Sequence, residues 1–165
     1  ARNALIGALS RIGAIVEIQR IIEHVELDTK LEVGEIISSI CAKLDHISRA
    51  HVAASSDRIE IGEGLVTPIA LIVSELVTNA QKHAYDSEDG GIIAVTARRD
   101  EGGIRLSVRD DGRGVSPDFD PRQVSGFGMR MLLREIDHIG ATLSVERLDK
   151  GTAFVVSIPP SALQH

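Results

Sequence analysis

Hydrophobic positions along the chain change their period several times, and the changes mark its elements. From about Ala4 to Val25, Leu5, Leu9, Ile12 and Val16 recur at spacings of four and three, and Ile15, Ile18, Ile22 and Val25 form a second stripe beside them. This pattern predicts one helix with a wide apolar surface. Such a surface does not rest in water, so part of it is expected to pack on the rest of the chain and part to belong to a helical bundle. After the break "ELDTK", a second helix is predicted over "VGEIISSICAKLDHI", with Cys41 on its apolar side as a small core residue. "RAHVAASS" and "RIEIG" read as two short strands around a polar turn at Ser56-Asp57. A long helix follows from about Leu65 to Ala84, with Pro68 near its first turn, where a missing N–H does least harm. "GIIAVTARR" and "IRLSVRD" alternate in period two around the hairpin signal "DEGG". "VSPDFDPRQVS" has two prolines and no period, and is a loop. "GFGMRMLLREIDHIG" is a helix opened by glycines and closed by Gly140, and "ATLSVERL" with "TAFVVSIP" makes a last strand pair. The expected fold is α/β in the α+β sense. It is a two-layer sandwich in which a mixed, mainly antiparallel sheet is covered on one face by helices, with an N-terminal bundle helix added.

Composition narrows the function classes. The chain has 165 residues, 43% of them hydrophobic and 25% charged, a globular balance. Aromatic residues are 2% and Trp is absent, so the core must be built from Ile, Leu, Val and Ala. A net charge of −6 argues against a nucleic-acid backbone as partner, which would require clustered Lys and Arg. Cys41 is the single cysteine, so no disulfide framework or cysteine zinc site can be drawn within the chain. No apolar run is expected to reach the length of a membrane span, no signal peptide is visible, and a cytoplasmic location is expected.

Four stretches carry candidate chemistry, and each alone has an ordinary explanation. "SELVTNAQKHAY" places Glu75, Asn79, Lys82 and His83 on one side of the long helix. At about 100° per residue, Asn79 lies some 40° from Glu75, with Lys82 and His83 close by. An ordinary solvated face would look the same. "VRDDGRGV" ends an alternating strand with Asp110, followed by Gly112 and Gly114. An Asp-Gly pair there is commonly a turn. It can equally bring backbone close to a flat ligand, with the carboxylate accepting from an exocyclic amine. "GFGMRML" opens a helix with Gly126 and Gly128, where backbone N–H groups and the helix dipole can meet phosphate oxygens. It is not a Rossmann fingerprint, because Met131 stands where a third glycine would be, and no Walker-type loop is present. "DKGTAF" places Thr152 after Gly151, by itself a turn before a strand.

Taken in order, E-x-x-x-N-x-x-K-H on a helix, D-x-G-x-G at a strand end, a proline-containing loop, G-x-G-x-x-L and a final G-T are jointly specific. From about Val33 to Pro160 the chain resembles the ATP-binding fold of sensor histidine kinases, type II topoisomerases, ninety-kilodalton heat-shock chaperones and mismatch-repair ATPases, the Bergerat or GHKL fold. It looks most like the catalytic domain of a bacterial two-component sensor histidine kinase. "PIALIVSELVTNAQKHAY" with a short lid resembles the kinases whose phosphoacceptor motif is H-R-x-x-N, and the absence of Trp disfavours the group with a W-x-E signature.

The resemblance implies ATP and Mg²⁺ as cofactors. Asn79 would hold Mg²⁺, with Glu75 supporting the metal-bound water or polarising the site, and Lys82 and His83 would face the phosphates. Asp110 would accept from the adenine amino group, Gly112 and Gly114 would admit the base, and Thr152 would assist through water. Gly126, Gly128 and Met129 would line the phosphate side, and Arg130 would reach the γ-phosphate or else be a solvated helix residue. Tyr85 would either edge the nucleotide or close the helix. Residues 115–125 would be a mobile lid.

Residues 1–27 resemble the second helix of a dimerisation and phosphotransfer hairpin, residues 31–160 the catalytic ATP-binding domain, and 161–165 a tail. None of the histidines His24, His46, His51, His83, His138 and His165 begins H-R/K-x-x-N. The chain is therefore expected to be a fragment that binds Mg-ATP but cannot phosphorylate itself. Expected partners are ATP and ADP, the kinase's own phosphoacceptor segment, a response regulator and a second subunit in a homodimer, with no nucleic acid and no membrane contact. Two other readings stay open: an ATP-hydrolysing module in which Glu75 activates water, and an anti-sigma serine kinase or nucleotide-dependent regulatory module.

Overall fold

A computed structural model describes residues 30–86 and 90–164, together with the isolated positions 12, 13 and 16, which are helical. At those positions Ile12 and Val16 are 57% and 53% exposed. The rest of the helix expected over residues 4–25, and the hairpin assignment of residues 1–27, lie outside the described residues.

Strand β1 (Leu31–Glu32) leads directly into helix α1 (Val33–His46). Strands β2 (His51–Ser56) and β3 (Glu60–Ile61) follow, then a 3₁₀ turn (Glu63–Leu65) and helix α2 (Val66–His83). Strands β4 (Ile92–Asp100) and β5 (Gly103–Asp110) form a hairpin. Its two turn residues, Glu101 and Gly102, have φ of 47° and 83°, the left-handed pair a tight hairpin needs to match strand twist. A long loop precedes helix α3 (Phe127–His138), and β6 (Thr142–Arg147) and β7 (Thr152–Ile158) close the fold.

The main sheet has order β2-β4-β5-β7-β6 and is antiparallel except for the parallel pair β2–β4. The two predicted strands of residues 49–62 therefore part company: β2 joins the main sheet, and β3 pairs antiparallel with β1 in a two-stranded sheet. The β1 strand carries no sequence signal of its own, having two residues. It is held by Glu32, whose carboxylate accepts from Arg58 Nε at 3.1 Å and from the Ile59 N–H at 3.2 Å. Residues 161–164, expected as a tail, belong to a 3₁₀ turn (Pro160–Gln164) whose Ala162 and Leu163 pack against the core.

Alternation in β4, β5 and β7 sends Ile93, Val95, Ala97, Ile104, Leu106, Val108, Phe154, Val156 and Ile158 to the helix-covered face, all buried. The other face is polar and small at its centre. There the Arg105–Glu146 ion pair (2.6 Å) links the strands on either side of β7 and passes over Val155, which is 1% exposed. Helix α2 lies between α1 and α3 on the inner face and is buried at almost every position from Val66 to Thr78. This corrects the expectation that no apolar run reaches the length of a membrane span. The stretch Glu63–His83 does so, with a mean hydropathy of 1.2, but 72% of that window is buried inside the protein. A helix enclosed on all sides needs the same composition as a span.

Candidate functional site

The C-terminal end of α2, the tip of β5 and the N-terminus of α3 surround a cavity of about 490 Å³, in the range of small-molecule sites. Asn79, Lys82 and His83 line it from α2, Asp110 from β5, Gly126, Gly128 and Met129 from α3, and Thr152 from β7. Gly114 lines it from the loop after β5. Three residues expected in the site are not on its wall. Glu75 is 3% exposed, one turn below Asn79 and inside the protein. Arg130 is exposed on the outer side of α3. Gly112 faces the protein instead of the cavity. A Cβ there would collide with the Ala84 carbonyl oxygen, so the missing side chain admits α2 rather than a ligand.

That close approach fixes the distance between the two main walls. Beyond Gly112, the Arg113 N–H donates to the Ala84 carbonyl at 2.9 Å and Arg113 Nε donates to the His83 carbonyl at 2.7 Å. The last carbonyls of α2, which have no partner within the helix, are thereby satisfied by Arg113 of the loop that follows Asp110. Tyr85 reinforces the joint from outside the cavity and closes the helix. Its hydroxyl sits 2.9 Å from Asp111 Oδ1 and 3.0 Å from the Ile92 carbonyl, while the Ile92 N–H donates to the same Oδ1 at 2.8 Å.

Asp110 is 5% exposed. Burial pushes its carboxyl above the usual carboxylate range, opposed by the Gly112 and Thr152 N–H groups. The Gly112 N–H donates to its Oδ1 at 3.0 Å, which fixes the side chain's rotation. At the other end, partial burial pushes the His83 imidazole below its ordinary value, helped by the charges of Lys82 and Arg113. The α2 end of the cavity is therefore cationic, and its histidine favours the neutral form.

Helix α3 begins after Gly126 with no side-chain cap, and its first intrahelical bond is Arg130 N–H to the Gly126 carbonyl at 3.2 Å. The N–H groups of Phe127, Gly128 and Met129 come before that bond and beside the cavity, an arrangement suited to an anion. The wall between is apolar. Ala80, Ala84, Val115, Phe119, Val124, Phe127 and Phe154 line it, and none of them stands out in the sequence. Phe119 meets Phe154 edge to face, with centroids 6.0 Å apart and planes at 89°. Phe154 can be read as an inward residue of a period-two strand, but Phe119 sits in a loop with no period to read. Among the described residues no three His, Cys, Asp or Glu side chains gather to hold a metal ion. A Mg²⁺ bound mainly by phosphate and water needs only one or two protein oxygens, and the Asn79 carboxamide on the wall can supply one.

Residues 64–162 match the family described as histidine kinase-, DNA gyrase B-, and HSP90-like ATPase. The chain belongs to this ATPase family. The ATPase domain is 29% identical over 138 residues to blue-light-activated histidine kinase 2 of Erythrobacter litoralis, covering 81% of this chain and 40% of that protein. It therefore spans less than half the length of that relative. It is 33% identical over 118 residues to the anti-sigma F factor of Geobacillus thermodenitrificans, covering 66% of this chain and 79% of that protein. The solved histidine kinase domain of a blue-light-activated histidine kinase from Erythrobacter litoralis superposes with a TM-score of 0.81 at 26% identity, over 94% of this chain and 75% of that one. The five-stranded mixed sheet with its covering helices is the Bergerat fold of such kinases. The family implies that the domain binds a nucleotide.

Proposed function

We propose that residues 31–160 bind Mg-ATP in this cavity and transfer the γ-phosphate to a histidine on a dimerisation hairpin, for relay to a response regulator in the cytoplasm. The observation that carries the reading is the pairing, across one cavity, of a buried carboxylate at the tip of β5 with a cationic helix end and an uncapped helix N-terminus. The carboxylate of Asp110 accepts from the adenine amino group, and the apolar wall of Ala80, Val115 and Phe154 takes the faces of the base. Lys82 and the first N–H groups of α3 hold phosphate oxygens. Asn79 holds Mg²⁺, which neutralises charge on the phosphates when bound. The acceptor imidazole nitrogen forms the new N–P bond as the bond from the γ-phosphorus to its bridging oxygen breaks and ADP leaves. A neutral imidazole is already a nucleophile, so positioning and charge neutralisation contribute most of the rate.

The similarity to an anti-sigma F factor over 79% of that protein favours a second reading, in which the domain phosphorylates a serine or regulates a partner through nucleotide. Labelled ATP separates them. With a hairpin that carries an acceptor histidine added to the mixture, protein-bound phosphate that is acid-labile and alkali-stable marks histidine transfer, whereas acid-stable phosphate supports the second reading. Either reading requires the site, and Asp110→Asn tests it. Gly112 must still donate to a carbonyl oxygen at Oδ1, so the variant's amide NH₂ takes the other position and opposes the adenine amino group. ATP binding is expected to be lost with the fold intact. Unchanged affinity would place the base elsewhere.

A further inference from the structure

The cavity is roofed on one side by the loop of residues 115–125, and the start of that loop is held by a single cross-strand pair. Arg147, the last residue of β6, lies directly opposite Thr152, the first residue of β7. Thr152 Oγ1 accepts from the Val115 N–H at 3.1 Å. Arg147 donates through Nε and Nη2 to the Ser116 carbonyl at 3.4 and 3.3 Å, and through Nη2 to the Pro117 carbonyl at 2.5 Å. Three consecutive loop residues are thus gripped by two side chains of one β-hairpin. The Ser116 carbonyl also accepts from the Phe119 N–H at 3.1 Å, closing the turn that sets the Phe119 ring against Phe154 in the cavity wall. Arg147 is itself exposed and meets no carboxylate among the described residues, so its charge is directed at backbone carbonyls alone.

We infer that Arg147 is a positioning residue for the nucleotide: it fixes the root of the 115–125 loop, and through the Ser116 carbonyl and Phe119 it holds the cavity wall closed against the bound base. The inference rests on the nucleotide reading above. A guanidinium suits this role because its planar fork reaches two neighbouring carbonyls at once, whereas an ammonium reaches them as a point. The side chain is not itself part of the cavity lining, so its loss leaves the binding groups in place and acts on how long the ligand stays.

The test uses fluorescent Mg-ADP and stopped-flow release from the full chain and from Arg147→Ala, Arg147→Lys and Arg105→Ala. Arg105 is the control, an arginine on the same sheet paired with Glu146. The expected result is release roughly tenfold faster in R147A, with association changed less than about twofold, release in R147K between the two, and R105A like the parent chain. Amide exchange without nucleotide gives a second readout: Val115 and Phe119 should exchange faster in R147A while the amides of β4 and β5 do not change. Release from R147A at the parental rate overturns the inference even where the parent chain binds normally. If the parent chain binds no nucleotide, the site reading itself fails and the positioning role fails with it. Unchanged exchange at Val115 and Phe119 would remove the clamp as well.

Discussion

At the scale of single residues, Asp110 is the group whose chemistry and stability pull in opposite directions. Burial raises its carboxyl above the ordinary range. Between the unfolded and folded values the folded chain therefore holds the extra proton, and stability falls as pH rises through that window. Asp110→Asn abolishes this penalty. The difference in melting temperature, variant minus parent, is expected to be more positive at pH 7 than at pH 4. A difference that does not change with pH would show that the folded protein ionises Asp110 without cost. Asn79→Ala tests the other end of the site: calorimetry should show ATP binding that Mg²⁺ no longer tightens, and an undiminished Mg²⁺ effect would move the metal elsewhere. Asp110, Asn79 and Thr152 are legible in the sequence because polar groups stand at strand and helix ends in a recognisable order. Gly112 reads there as a ligand-facing glycine although it meets the Ala84 carbonyl, because a sequence records that a side chain is missing but not what approaches in its place.

At the scale of elements, periodicity locates helices α1, α2 and α3 and the long strands to within a few residues. It fails where an element depends on a distant partner. The two-residue β1 exists because β3 and Arg58 lie beside it, and whether β2 runs parallel to β4 depends on which way α2 returns the chain. The 115–125 loop shows the same limit, since its proline content marks a loop while the Arg147 contacts that anchor it span about thirty residues. Helix α2 carries site residues on its last turns and core residues elsewhere, so the two roles can be separated by mutation. Leu76 is 1% exposed and is not part of the cavity lining. Leu76→Ala is expected to lower unfolding free energy by about 2–5 kcal/mol, read as a lower urea midpoint with the same slope, and to leave nucleotide affinity of the folded fraction unchanged. A weakened affinity at full folding would mean that the core and the site are not independent.

At the scale of the whole molecule, the scarcity of aromatic residues and the apolar periodicity make an aliphatic core legible, and its single thiol reports on it. Cys41 is 2% exposed, and burial, with the nearby Asp45 charge, pushes its thiol up to about 12. A buried thiol held protonated is inert. Thiol reagents at pH 8 are expected to modify Cys41 only as fast as the domain opens, with a rate that climbs with urea in step with the loss of helical signal. Rapid modification in the native protein would show that α1 leaves the core without global unfolding. The overall layout, one face of a mixed sheet under helices, follows from element order. The cavity shape does not, because its apolar lining is assembled from a loop, a strand and two helix ends.

The enclosure of α2 has one more consequence. A helix walled in by two neighbours and a sheet is a fixed jaw: it cannot slide or tilt without tearing the hydrophobic layer that holds the molecule together. Any stimulus that tunes how firmly the domain grips its cargo must therefore act on the opposite jaw, where the uncapped start of α3 and the arginine-tethered roof meet solvent.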